Sequence, residues 1–189
     1  MSPRSNLTKQ TVVQAAADLI NAEGQGSLSL GRLAKELGIR TPSLYNHVDG
    51  LPGLMRELSI LNAHNLAGRI SEAAIGQSGP EAVRVVMKAM RAYIKDSPGL
   101  YLSTLRASGT QLEVDPELEQ EEARSVKVGM AVMASFGLEG EEAIHALRGL
   151  RSLVHGFTTL EVSGGFGLPL ELDESFARLV DLFIAGLEQ

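Results

Sequence analysis

Apolar residues recur along this chain at steps of three and four, and no stretch keeps an alternation of period two. That rhythm lays apolar side chains on one stripe of a helix rather than on one face of a strand. The first predicted helix follows Thr8 and turns Val12, Ala16, Leu19 and Ile20 inward until "EGQGS" breaks it. Ser29 stands where a side-chain cap opens a second helix, which buries Leu30, Leu33, Ala34 and Leu37. Gly38 suits the left-handed residue that closes a helix. Thr41 is expected to cap a third helix, with Pro42 at its first position, where a missing N–H costs nothing. Asp49 is expected to cap a longer fourth helix over 49–75.

Beyond the linker "GQSGP", the pattern predicts a helix over 80–97 with Val83, Val86, Met87, Met90 and Ile94 on one face. "SPG" reads as its stop, followed by a short helix over 100–105 and a loop, "SGTQLEVDP". A helix over 116–136 is acidic early and apolar late, which suits its dipole. Two more follow, over 141–163, ending at "GGFG", and over 172–187. The expected architecture is all-α with about nine helices. It divides into a helix-turn-helix part, 1–50, and a helical body, 51–189.

Composition changes this picture little. With 44% apolar and 21% charged residues the chain is an ordinary globular sequence. It has no cysteine, so no disulfide framework or thiolate metal site arises. "MSPRSNLTKQ" lacks the apolar core of a secretory signal, and no uncharged run approaches the ~18 apolar residues that span a bilayer. A cytoplasmic protein without membrane association is expected. Charge says more. The formal net charge of −6 argues against nucleic acid, yet it is unevenly spread. Up to residue 48, Arg4, Lys9, Arg32, Lys35 and Arg40 outnumber Asp18, Glu23 and Glu36, so a mildly basic start precedes an acidic body.

Two short helices joined by a tight turn containing glycine form a helix-turn-helix unit. Leu33, Leu37, Ile39, Leu44 and Val48 would pack it onto the first helix, with Ala34 small where the third helix crosses closely. That leaves Arg40, Thr41, Ser43, Asn46 and His47 on the outer face or at the leading end of the third helix. In this motif that end enters a major groove. Asparagine reads adenine, arginine reads guanine or holds phosphate, and Ser and Thr bond to either. Tyr45 can lay its ring on the unit and its hydroxyl on a phosphate. The competing reading is a helical hairpin with a solvated polar face.

The stretch "SLSLGRLAKELGIRTPSLYNHVDGLPGL" with the helix before it resembles the DNA-binding domain of the tetracycline-repressor (TetR) family. "LAKELG", "SLYNHV" and Leu54 stand at that family's spacing. The resemblance implies an all-α homodimer with an N-terminal reader and a C-terminal domain for a small effector. It implies that Tyr45 and His47 touch the DNA backbone and that Thr41, Ser43 and Asn46 lie near bases; Ser29, Arg40 and Pro42 are expected in the same interface. Many members carry a lysine near the start of the fourth helix, where Leu51 stands here. Free N–H groups of that helix start are expected to hold the phosphate instead.

The body is less specific. "LRSLVHGFTTLEVSGGFG" resembles the WHG-type branch of the family's effector domains, although Val154 stands where an aromatic often precedes the His-Gly pair. The resemblance suggests that this helix and the last one pair with their copies across a two-fold axis. The interface is expected at Leu150, Val154, Phe157, Phe176, Leu179, Val180 and Phe183; the alternative is that this stripe is internal core. Polar side chains stranded on apolar faces mark candidate effector contacts: His64, Tyr93, Tyr101, Arg148 and His155, with His145 and Arg151 weighed beside them. Met87, Met90, Met130 and Met133 offer a soft, adaptable lining. An apolar or weakly polar organic molecule is the expected effector. No cofactor and no metal is expected. The chain carries no HExxH, no nucleophile elbow and no glycine-rich phosphate loop after a strand, so an enzyme is not expected. The expected function is a ligand-responsive regulator, most simply a repressor on palindromic operator DNA. The rival is a helical module that binds a protein partner.

Overall fold

The computed structural model describes residues 7–105 and 115–188, and among them every regular element is helical. The helices are α1 (Lys9–Glu23), α2 (Leu30–Glu36), α3 (Thr41–Leu44), α4 (Gly50–Ala74), α5 (Gly79–Asp96), α6 (Pro98–Thr104), α7 (Pro116–Ala134), α8 (Gly140–Val162) and α9 (Leu172–Leu187), with a single 3-10 turn at Gln25–Ser27. The all-α expectation holds, and most boundaries fall within a residue or two of those read from periodicity. Most of the loop read as "SGTQLEVDP" lies outside the described residues.

Two local readings need correction. The N-cap of α3 is Arg40, whose side chain makes no capping bond, so Thr41 is the first helical residue and Pro42 follows it. Regular α-helix also ends at Leu44, because its carbonyl accepts from both His47 N–H (2.9 Å) and Val48 N–H (3.0 Å), tightening the next turn. "SPG" is not only a stop. Pro98 stands in the first turn of α6, where its lack of an N–H and its fixed φ are tolerated.

The chain packs as two compact units, Met1–Asn62 with Ser97–Leu118, and Ala63–Asp96 with Glu119–Gln189. They are defined by packing, whereas the division expected after residue 50 is one of function. In the first unit, Val12, Ala16 and Ile20 of α1 meet Leu33 and Ala34 of α2, Leu44 of α3, and Leu54 and Leu58 of α4 in one core. Each fully buried aliphatic side chain there contributes about 1.5–3 kcal/mol. Leu100 of α6 joins the same core, which periodicity did not foretell. Asn21 Oδ1 accepts the Leu100 N–H at 2.8 Å, giving α6 the first-turn partner that its own cap residue Ser97 does not supply. Gly99 lies against the α1 backbone so closely that any side chain would run into the Ile20 carbonyl. Arg56 of α4 donates to both oxygens of Asp115, from Nε at 2.6 Å and Nη2 at 2.9 Å, and to Glu117 at 2.8 Å. Asp115 in turn accepts the Leu118 N–H at the start of α7.

In the second unit, α5, α8 and α9 pack on one another through Val83, Met87 and Ile94, Leu150 and Val154, and Phe176 and Val180. Gly129 of α7 accommodates Leu147 of α8, whose side chain fills the space a Cβ would need.

The Gly99→Ala variant is expected to lose about 1–3 kcal/mol by overpacking α6 against α1. Gly31→Ala, where an added Cβ meets nothing within 4 Å, should gain up to about 1 kcal/mol from helix propensity. Urea unfolding of both variants checks the pair, which must move in opposite directions.

Candidate functional site

The Ser29 hydroxyl oxygen accepts the Arg32 N–H at 3.2 Å and opens α2. The helix closes on Gly38, at φ +66, where the left-handed backbone costs glycine nothing. Ile39 N–H then donates back to the Ala34 carbonyl (2.9 Å) and Gly38 N–H to the Lys35 carbonyl (3.2 Å). These two bonds form a Schellman closure, and they satisfy carbonyls that the helix end leaves open. The turn carries Ile39 into the core and delivers Arg40 to the start of α3.

The short α3 and the turn after it are two-faced. Leu44 and Val48 are buried, whereas Arg40, Pro42 and Asn46 are exposed and Tyr45 is 60% exposed. Thr41, Ser43 and His47 are half-buried at the edge between these faces. The residues expected to contact DNA after Arg40 therefore form one contiguous rim. Ser29 is exposed as well, and with its oxygen engaged in the cap it still has its O–H to donate. The basic residues divide in two. Arg32 is held by Glu23 (2.7 Å) and Glu36 (3.1 Å), and Lys9 by Glu57 (2.8 Å). Among the described residues Lys35 and Arg40 make no ion pair and are exposed. Leu51, in the first turn of α4, is 40% exposed.

Residues 83–183 match the family described as tetracyclin repressor-like, C-terminal domain. Over almost their whole lengths, two HTH-type transcriptional regulators resemble this chain. YobS of Bacillus subtilis (strain 168) is 33% identical across 99% of this chain and 96% of its own. Rv0681 of Mycobacterium tuberculosis is 32% identical across 98% and 84%. A variant of TetR from Acinetobacter baumannii AYE, solved in complex with minocycline, superposes with a TM-score of 0.71 over 97% of each chain at 22% identity. The chain belongs to the TetR family. It is an HTH-type, DNA-binding transcriptional regulator.

In this TetR-family chain the candidate effector residues are scattered in burial. Met87, Met90 and Tyr93 of α5 are buried in the second unit, and Met130 of α7 is half-buried. Tyr101 is buried in the first unit. His64 is exposed and meets Glu121 at 3.2 Å, which also accepts from Arg124 at 2.6 Å. Arg148, His145 and Arg151 are exposed. His155 is half-buried, and burial, then the charge of Arg151, pushes its pKa down, so the ring is neutral near pH 7. Of the residues expected at a dimer interface, Leu150, Val154, Phe176 and Val180 are buried inside their own unit, so the stripes of α8 and α9 are internal core at these positions. Phe157, Leu179 and Phe183 remain half-buried. The outward side of α9 instead carries Leu182, 73% exposed, and α8 carries Ile144.

Periodicity passed over Arg91, a cation in the middle of the apolar face of α5. Its Nε and Nη2 donate to the two oxygens of Glu161 on α8, at 2.8 and 2.7 Å. Asp173, at the start of α9, lies 2.8 Å from Nη2, and Lys95 Nζ reaches Glu161 at 2.6 Å. The guanidinium sits 4.7 Å from the Phe176 ring centroid and 5.5 Å from that of Phe157, which also stacks on Phe166. One buried fork thus joins three helices. The bonds from Arg91, opposed in part by burial, hold the Glu161 carboxyl below its ordinary range. The sequence signal existed: a charge on the stripe of α5 and another on that of α8, each unexplained by its own helix.

Replacing Arg91 by Met is expected to cost about 3 kcal/mol, because Glu161 is left buried without its main partner. Glu161 has a lowered folded-state pKa, so its contribution is complete above the unfolded carboxylate value of 4.5 and fades as pH falls through the folded value. Urea midpoints from pH 7 down to pH 3 should therefore converge for wild type and Arg91→Met.

Proposed function

We propose that the chain is a repressor that binds palindromic operator DNA as a homodimer and is released by a small organic molecule. The reading part is 1–50 and the effector and dimerisation part is 51–189. The observation that carries the reading is the division of α3 and its following turn into a buried apolar side and an exposed polar rim. The leading end of α3 enters the major groove, with Thr41, Ser43 and Asn46 at base edges. Arg40, Tyr45, His47 and Ser29 bond to phosphates, and the Pro42 ring packs at the groove wall. N–H groups at the start of α4 take the phosphate contact that Leu51 cannot make. Two copies present their third helices about 34 Å apart, one turn of duplex.

The copies meet through the outward faces of α8 and α9, with Leu182 and Ile144 joining the half-buried Phe157, Leu179 and Phe183. The effector is neutral or weakly polar and lodges in the second unit. Two features support coupling to DNA. Helix α4 is continuous from Gly50 to Ala74, so a tilt at one end moves the other. Helix α6 directly follows α5 and is keyed to α1 at Gly99 and Asn21. A coupling of about 1–3 kcal/mol would change operator affinity some 5- to 150-fold. No helix among the described residues is long and apolar enough to cross a membrane, and the cytoplasm, where its DNA lies, is the proposed location. The relatives are transcriptional regulators, and no catalytic role is proposed.

An operator selected from a random duplex pool tests this directly. Asn46→Ala and Tyr45→Phe should each weaken operator binding by about 1–3 kcal/mol while the fold and the dimer persist. A protein-partner module would show no such loss. Because few cations face the DNA, the slope of log K against log salt should be shallower than about −8. A steeper slope refutes the N–H contact at α4.

A further inference from the structure

Thr158 lies on the buried face of α8, the face that also carries Leu150, Val154 and Glu161. Its side chain is fully buried, and its Oγ1 has no hydrogen-bond partner among the described residues. A helical threonine can usually turn its hydroxyl onto a carbonyl one turn back. Here that bond is not made, and the group keeps the full desolvation cost of burial. A buried hydroxyl of this kind asks for a partner from outside the chain.

The surroundings bound what that partner is. α8 begins shortly after Ser135, whose hydroxyl accepts the Gly79 N–H at the start of α5. Near its other end Glu161 meets Arg91 and Lys95, so α5 and α8 run side by side in the same direction. Thr158 stands about 4.5 Å back along the axis of α8 from Glu161, and Met87 and Met90 stand within about one turn before its partner Arg91 on α5. Met87 and Met90 are buried, unbranched and soft, so they can yield volume by changing rotamer. The charges nearby cancel: Arg91 and Lys95 are matched by Glu161 and Asp173. An ionic ligand would find no net attraction there and would lose its hydration.

We infer that Thr158 is the polar anchor of a binding site between α5 and α8 for a neutral molecule with an apolar body and one hydrogen-bonding group. The inference rests on the effector reading above and specifies the chemistry of that site. The hydroxyl selects the ligand by one hydrogen bond, and the methionines fit its body.

Two fluorescent probes with the same aromatic skeleton test it on the full chain. N-phenyl-1-naphthylamine is neutral with one N–H to donate to Oγ1, and 8-anilino-1-naphthalenesulfonate adds a negative charge. Wild type is expected to bind the neutral probe saturably and the sulfonate at least tenfold more weakly. Thr158→Val should raise the thermal midpoint, since a methyl replaces the unpartnered hydroxyl, yet weaken the neutral probe about tenfold. Thr158→Ser should bind within about twofold of wild type, and Thr158→Ala serves if the valine variant does not fold. Equal binding by wild type and both hydroxyl-free variants overturns the anchor, as does preference for the sulfonate or failure of wild type to bind either probe. The regulatory reading is judged separately, from operator affinity with and without bound probe. A probe held through Thr158 that leaves operator affinity unchanged refutes that reading and keeps the site.

Discussion

The exposed polar rim of α3 depends on one backbone event, the left-handed turn at Gly38. An α2 that continued would carry Ile39 and Arg40 around its own axis, and neither the core contact of Ile39 nor the start of α3 would exist. At φ +66 the chain reverses and closes the helix with two bonds from Gly38 and Ile39. Any L residue with a Cβ is strained there. Every exposed side chain from Arg40 to Asn46 takes its direction from that reversal, with Leu44 and Val48 as the buried pins that hold it.

A second close approach gives the first unit its other constraint. Gly99 allows α6 to lie on α1, and Asn21 supplies a bond to the Leu100 N–H that this short helix needs. A seven-residue helix has little stability of its own, so its position is set by what it touches. The Gly99 approach and the Asn21 bond therefore fix where α6 lies on α1.

The second unit uses polarity in two ways. Arg91 and Glu161 are buried as a complete set, with bidentate bonds, a second carboxylate, a lysine and two aromatic faces around them. A satisfied network of this kind specifies which faces of α5, α8 and α9 meet, because any other register would strand a charge. Thr158, close along the same face, is the opposite case, a buried hydroxyl without a partner among the described residues. The contrast separates a structural use of polar atoms from one awaiting a ligand.

Much was legible along the chain. Helical periodicity identified every helix, Thr8 and Ser29 act as the caps their side chains suit, and Gly38 adopts the backbone that its place demanded. The "LAKELG" and "SLYNHV" segments carried the family, because turn chemistry and short-range packing are encoded locally. What failed was of another kind. The stripes of α8 and α9 suggest a partner copy, with the interior as the alternative, since a helix needs an apolar cover and its sequence does not say which one. Only the packing of α5 against both decided that Leu150, Val154, Phe176 and Val180 are core. Likewise Arg91 and Glu161 lie 70 residues apart, and no local pattern pairs them. The sequence by itself determined the helices, their ends and the polar rim of the reader, which depend on neighbours a few residues away. The tertiary structure alone decided which apolar faces are spent internally, which buried charges are matched and which hydroxyl is left without a partner, because those depend on atoms that meet only once the chain has folded.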